Sequence, residues 1–240
     1  MKKILIPVCL ILGSALYIWS KGTIIQDQAY HQFADQRTML GIPFCMDTLT
    51  NFFFLIFGVI GLLYTIKHPE KESRYSWFTF FVGLALVGVG SSYYHLAPND
   101  ATLVWDRLPM TIGFMGIFSA IVSEHIDFPF EKYFLLPLIL FGFLSVGIWI
   151  WTQDLRVYYF VQLAPILIVP CMFFLFKERY LKSSFYLIIL FLYIAAKITE
   201  HYDIQIFNFS PISGHSLKHI LAGFIPYFAY EMLKKRKQGP

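Results

Sequence analysis

His215 and His219 stand four residues apart in "SGHSLKHILAGF", at the head of an apolar run that closes in the basic stretch "KKRK". On a helix this spacing sets both imidazoles on one face, about a turn apart. Imidazoles so placed can share a metal ion through their ring nitrogens, although a helical histidine pair taken alone is more often a packing or interfacial pair. The pair gains weight beside "GSSYYHLAPNDATLVWDRLPM", where His95 follows Ser91 by one helical turn and Asp106 comes soon after. Three histidines with one open position for water is the ligand count of a catalytic zinc, whereas a closed structural site takes four protein ligands. Such a zinc lowers the pKa of a bound water toward neutrality and polarises a carbonyl. Asp106 is then suited to take the proton of that water and pass it to a leaving amine. Ser91 is suited to donate a hydrogen bond to a developing oxyanion. It is not read as a nucleophile, because histidines occupied by metal leave no free base to activate it. The structural alternatives are a small residue easing helix packing for Ser91 and a helix amino-terminal residue favoured by the macrodipole for Asp106.

These residues must be carried by membrane helices. The 240-residue chain is 57% hydrophobic, 19% aromatic and only 14% charged, where a soluble domain has roughly a quarter of its residues charged. Apolar runs near the ~20 residues needed to cross a bilayer fall at about 4–20, 48–66, 77–97, 108–124, 133–151, 157–176, 184–200 and 215–233. The expected fold is all-α: a polytopic seven-transmembrane-helix bundle plus one N-terminal apolar helix. Residues 1–20 have the basic start and short apolar core of a signal peptide, but no small-x-small cleavage site follows, so an uncleaved anchor is preferred. The remaining division is an external loop at 21–47, the seven-helix domain at 48–233 and a basic cytoplasmic tail at 234–240.

With the amino terminus inside, thirteen of the 19 lysines and arginines fall on inner segments. The other six, Lys21, Arg37, Arg107, Arg156, Lys197 and Lys218, fall on outer segments or helix ends. This is the asymmetry of basic loops kept in the cytoplasm. The net charge of +4 therefore reports topology, and the dispersed basic residues offer no nucleic-acid face. The three cysteines, Cys9, Cys45 and Cys171, imply no disulfide framework. His95, Asp106, His215 and His219 then reach one external membrane level from three different helices, and ionisable groups at such depth usually turn inward to pair, bind ions or do chemistry. Near that level stand Lys197, Glu200 and Asp203, readable as supports of the metal ligands or as a solvated helix end, and Asp47 and Asn51, readable as substrate-side groups or as interhelical hydrogen bonders. Trp105, Trp149 and Trp151 read as interfacial anchors.

Ser91-x3-His95, then Asp106, then His215-x3-His219 near the start of the last apolar run resembles the signature of the alkaline ceramidases and their wider zinc-dependent hydrolase superfamily, which includes adiponectin- and progestin-type receptors. The likeness covers roughly residues 47–233. "YHQFADQRTMLGIP" and "MDTLTNFFF" are similar to the corresponding segments of bacterial ceramidase-like members. The resemblance implies a seven-helix bundle that holds one Zn2+ through His95, His215 and His219 and hydrolyses the acyl amide bond of a membrane lipid, a ceramide or other N-acyl lipid. The likeness to bacterial members implies a bacterial inner-membrane protein, and the basic asymmetry then sets its active site toward the periplasmic side and its C-terminus in the cytoplasm. Two departures stand out. Eukaryotic members carry an acidic calcium cluster before the first core helix, whereas this chain has Asp27, Asp35 and Asp47 there and no glutamate, which puts a Ca2+ site in doubt. The chain also has the extra N-terminal span. The competing reading is a membrane receptor or lipid-binding protein that retains the zinc scaffold; it calls for a sizeable cytoplasmic domain, and the inner loops here are short. A haem held by paired histidines would colour the preparation.

Overall fold

The computed structural model describes residues 2–69, 72–126, 129–177 and 183–236. Lys71, Arg179, Lys182 and Lys237, counted above among the inner basic residues, and the end of the 234–240 tail lie outside these. Among the described residues the regular elements are helical: α1 (Lys2–Ser20), a 3-10 turn (Gln28–His31), α2 (Cys45–Leu49), α3 (Phe52–Lys67), α4 (Arg74–Leu96), α5 (Asp100–His125), α6 (Phe130–Thr152), α7 (Arg156–Leu175), α8 (Ser183–His201), α9 (Asp203–Phe207), α10 (Gly214–Gly223) and α11 (Ile225–Lys234). The protein is an all-α membrane bundle.

Among the described residues, six stretches are long and apolar enough to span a bilayer: α1, the combined α2–α3 stretch Cys45–Lys67, α4, α6, α7 and α8. Two expected spans differ from the simple pattern. The 108–124 run belongs to α5, which starts at Asp100 under an Asn99 capping box and carries Asp106, Arg107 and Glu124 in its body. The 215–233 run is two ten-residue helices, α10 and α11, that meet at Phe224. Pro226 breaks the run because it has no N–H to give to the carbonyl one turn back. The count of seven core spans therefore does not follow from length and apolar content.

The beginning of α5 corrects one reading. Asp106 lies two turns inside the helix, beyond the first turn in which the macrodipole acts, so a helix-terminus role does not explain it. α4 and α5 run antiparallel in close contact. Gly90 faces the Trp105 carbonyl so closely that a Cβ there would collide with it, and this approach sets Ser91 against Asp106.

Two buried clusters bracket the bundle. One gathers Trp77, Phe81, Ile121, Met172 and Met232, where α4 begins and α5, α7 and α11 end. The other, at the end that carries the histidines, gathers Phe33, Tyr94, Leu103, Trp149 and Tyr158. Trp149 is a second correction. It is 1% exposed and lies under the Arg107 guanidinium at 4.1 Å, so it is a core residue rather than an interfacial anchor, unlike Trp151, which is 92% exposed. α1 packs along α7, with the Arg156 guanidinium over the Trp19 ring.

Candidate metal centre

His95, in the last turn of α4, and His215 and His219, in the first two turns of α10, converge. Their side chains are 1%, 3% and 3% exposed. One ligand atom from each lies within 4.8 Å of the others. The Nε2 atoms of His95 and His215 are 3.3 Å apart, close to the ~3.3 Å edge of a tetrahedron whose zinc–nitrogen arms are ~2.0–2.1 Å.

The fold orients each ring. His219 Nδ1 donates to the Asp47 carbonyl at 2.9 Å, and a carbonyl can only accept, so the lone pair of this imidazole sits on Nε2. Lys218 Nζ donates to His215 Nε2 at 3.0 Å, which marks that nitrogen as the lone-pair one. The ammonium is held from its other side by Glu200 Oε1 at 2.9 Å. His95 Nδ1 is buried and has no hydrogen-bond partner. Buried lone pairs that face one another, with only a lysine to share, suit a cation, and the residues fit a three-histidine zinc. The described residues contain no other convergent group of three or more histidine, cysteine or carboxylate ligands.

α10 is pinned at its amino end by two carboxylates. Asp203 Oδ1 accepts from the His215 backbone N–H at 2.7 Å, and its Oδ2 accepts from Ala34 N at 2.9 Å. Asp47 is fully buried and accepts from the hydroxyls of Ser216 and of the N-cap residue Ser213. Negative charge at this end of a helix is favoured by the macrodipole. Gly214 permits the approach, since a Cβ there would strike the Thr199 carbonyl and the Asp203 backbone. Asn51 donates from Nδ2 to the Asp47 carbonyl, so it helps position the group that holds His219. Glu200 also binds Lys197 at 2.7 Å. Of the five subsidiary residues, Asp47, Asn51 and Asp203 thus contact the histidine helix or its hold, Glu200 reaches His215 through Lys218, and Lys197 stands one step further out.

Ser91 and Asp106 flank the close α4–α5 contact at Gly90. Both line a cavity of about 670 Å³ enclosed by α3, α4, α5, α7, α8 and α10, together with His219 and Lys218. The cavity is polar at the histidine end, where Gln26, Arg107 and Glu200 join these groups, and apolar below, where Phe80, Ile117, Val169 and Ile189 line it. From Asp106 to Ile117 along α5 the depth is ~16 Å at 1.5 Å per residue.

Several residues of the centre carry no spacing signal. Phe33, from the long segment before α2, packs its ring on His95 and His215 at centroid distances of 4.6 and 4.4 Å. It covers two of the three imidazoles. Ser213, Ser216 and Thr50 look like ordinary helix-end polar residues in the sequence, and Lys218 was legible there only as a basic residue. The three aspartates in the calcium region do not cluster. Asp27 caps the 3-10 turn through Ala29 N, and Asp47 serves α10. At Asp35 burial acts to raise the carboxyl, but hydrogen bonds from Arg37 outweigh it and hold the group below its ordinary value.

A family model described as Ceramidase matches residues 42–204. The chain belongs to the ceramidase family. No curated relative matches it. The matched stretch carries Ser91, His95 and Asp106, while His215 and His219 follow its end and join the centre through the α8–α10 turn. Family membership supports a ceramide-cleaving hydrolase of sphingolipid metabolism, and the apolar helices support a membrane location.

Proposed function

We propose that this ceramidase-family chain is a zinc-dependent intramembrane lipid amide hydrolase that cleaves the N-acyl linkage of a ceramide or related N-acyl lipid. The observation that carries the reading is a three-imidazole cluster opening, through His219, onto a cavity with a polar head and a ~16 Å apolar depth. That shape suits one amphiphile, with its acyl chain among Phe80, Ile117 and Ile189 and its amide beside Ser91 and Asp106. His95, His215 and His219 are the residues that would hold zinc. When bound, the ion would supply Lewis-acid polarisation of the amide carbonyl and a water acidified toward neutrality.

The chain's own groups do the rest. The Asp106 carboxylate accepts the proton of the attacking water and returns it to the departing amine nitrogen. The Ser91 hydroxyl first donates to that carboxylate. Once Asp106 has taken a proton it can donate to Ser91 Oγ, which frees the Ser91 O–H for the developing oxyanion. Phe33 and the buried α4–α10 contact keep bulk water from the imidazoles.

The proposal extends to topology: an anchoring α1 (1–20), an external segment at 21–47, a seven-span core at 48–233 and a cytoplasmic tail at 234–240, with the metal centre toward the periplasmic face of a bacterial inner membrane. The basic asymmetry of the loops supports this orientation. The test is incubation of the purified protein with ceramides, other N-acyl lipids and phospholipids, with released fatty acid read by mass spectrometry. Release from N-acyl lipids that is abolished by chelation and restored by zinc is expected. No release from any N-acyl lipid by zinc-loaded protein would sink the hydrolase reading.

A further inference from the structure

Arg107 is a buried cation at the polar head of the cavity with no counter-ion among the described residues. It is 5% exposed and lines the cavity one residue from Asp106. Its guanidinium lies over the Trp149 ring at 4.1 Å and the Tyr158 ring at 4.8 Å, and one amino group donates to Gln26 Oε1. The other, NH1, has no hydrogen-bond partner. Among the carboxylates around the cavity, Glu200 is held by Lys197 and Lys218, Asp27 caps the Ala29 amide, and Asp106 is the chain neighbour of Arg107. None lies within ion-pair distance of Arg107.

A guanidinium cannot shed its proton, so it stays charged at this depth. An unpaired buried charge costs several kcal/mol, and proteins normally pair it. The two rings offset part of this through cation–π attraction and Gln26 occupies one arm of the planar donor fork with a neutral partner, but NH1 of the fork, which matches carboxylate or phosphate oxygens, is left unused.

We propose that Arg107 selects N-acyl lipids whose polar end carries an anionic oxygen group, a carboxylate or a phosphate, over neutral ones. This rests on reading the cavity as the lipid site and narrows the proposed substrate from ceramides at large, which are uncharged, to N-acyl lipids, phosphorylated ceramides included, that carry such a group. Gln26 and the two rings present the guanidinium, and the acyl chain below is read only for length.

The test compares three probes with one acyl chain on the purified full-length protein: N-oleoylglycine, O-phospho-N-oleoylethanolamine and neutral N-oleoylethanolamine. Affinity is measured by thermal stabilisation in neutral detergent, which needs no turnover. One or both anionic probes should bind on the order of 10-fold to 100-fold more tightly than the neutral one, and which of them does so separates carboxylate from phosphate. Arg107→Gln should remove that preference while leaving affinity for the neutral probe, and Arg107→Lys, which keeps charge but loses the fork, should retain part of it. Where the lipids are hydrolysed, Arg107→Gln should raise KM for the anionic substrate with kcat little changed. Equal affinity of the unsubstituted protein for all three probes overturns the proposal without any variant, as does a preference that survives in Arg107→Gln. If Arg107→Gln does not fold, an undiminished preference in Arg107→Lys overturns it. An anion preference in a protein that cleaves no N-acyl lipid leaves the selection intact and removes only the hydrolase reading.

Discussion

At the scale of residues, the histidine centre divides into groups that would bind metal and groups that hold them. His215→Ala should remove most of about one zinc per chain, because two protein ligands rarely suffice. Asp203 holds the backbone N–H groups of His215 and Ala34, so Asp203→Asn should weaken zinc ~10–100-fold, the usual effect of losing a group behind a ligand. Competition with a chromophoric chelator measures both, and unchanged affinity in both variants would mean that the ligands are elsewhere. Asp106 differs in kind. Asp106→Asn keeps the size of the side chain and removes its basicity, so zinc content should persist while turnover falls ~10²–10⁴-fold. Ser91→Ala should cost on the order of 10²–10³. Loss of zinc from Asp106→Asn would make the aspartate a ligand or a ligand support.

At the scale of elements, the chemistry depends on how closely α4 approaches α5 and how the α6–α7 turn holds the segment beside the cavity. A methyl at residue 90 would meet the Trp105 carbonyl. Gly90→Ala should therefore push the two helices apart and destabilise the bundle by about 1–3 kcal/mol. Activity should drop further than folding, since Ser91 and Asp106 lose contact; a variant with full stability and full turnover would show that the approach is not needed. In the α6–α7 turn Asp154 accepts from the Ile24 amide and from the Arg156 side chain. The hydrogen bonds from Arg156, stronger than the opposing effect of burial, hold its carboxyl below the ordinary carboxylate value. A carboxyl depressed in the fold stabilises the protein fully above its unfolded pKa of about 3.9, and loses that contribution as pH falls through the lower folded value. The melting temperature of the unsubstituted protein should thus decline below about pH 4. Asp154→Asn should melt lower at pH 7 and show a shallower acid decline. Equal slopes in the two proteins would rule out this role for Asp154.

At the scale of the whole molecule, one end of the bundle holds imidazoles, carboxylates and the mouth of the cavity, and the other holds the basic helix ends. If the positive ends face the cytoplasm, Gln153→Cys, in the α6–α7 turn, should react with a membrane-impermeant maleimide on intact cells. Lys132→Cys, near the start of α6, should react only after permeabilisation. The reverse pattern would invert the protein and move its proposed site to the cytoplasmic face.

Much of this architecture was legible without coordinates. Apolar runs report helices directly, because a backbone in hydrocarbon must satisfy its own hydrogen bonds, and α3, α4, α6, α7 and α8 fall within a few residues of where those runs lie. His215 and His219 were legible because helical periodicity is local, and His95 because an ionisable group beside an apolar span needs a reason to be there. Tertiary structure decided what depends on distance between helices. It set Phe33 against His95 and His215 across more than sixty residues of chain, turned Trp149 inward onto Arg107, gave Asp203 and Asp47 to the amino end of α10, and carried Lys218 to His215. It also broke the last span at Pro226 and moved Asp106 from a helix end into a helix body. Composition and period say what each segment buries; only the packed bundle says against whom, because side-chain partners from separate helices share no local pattern in the chain.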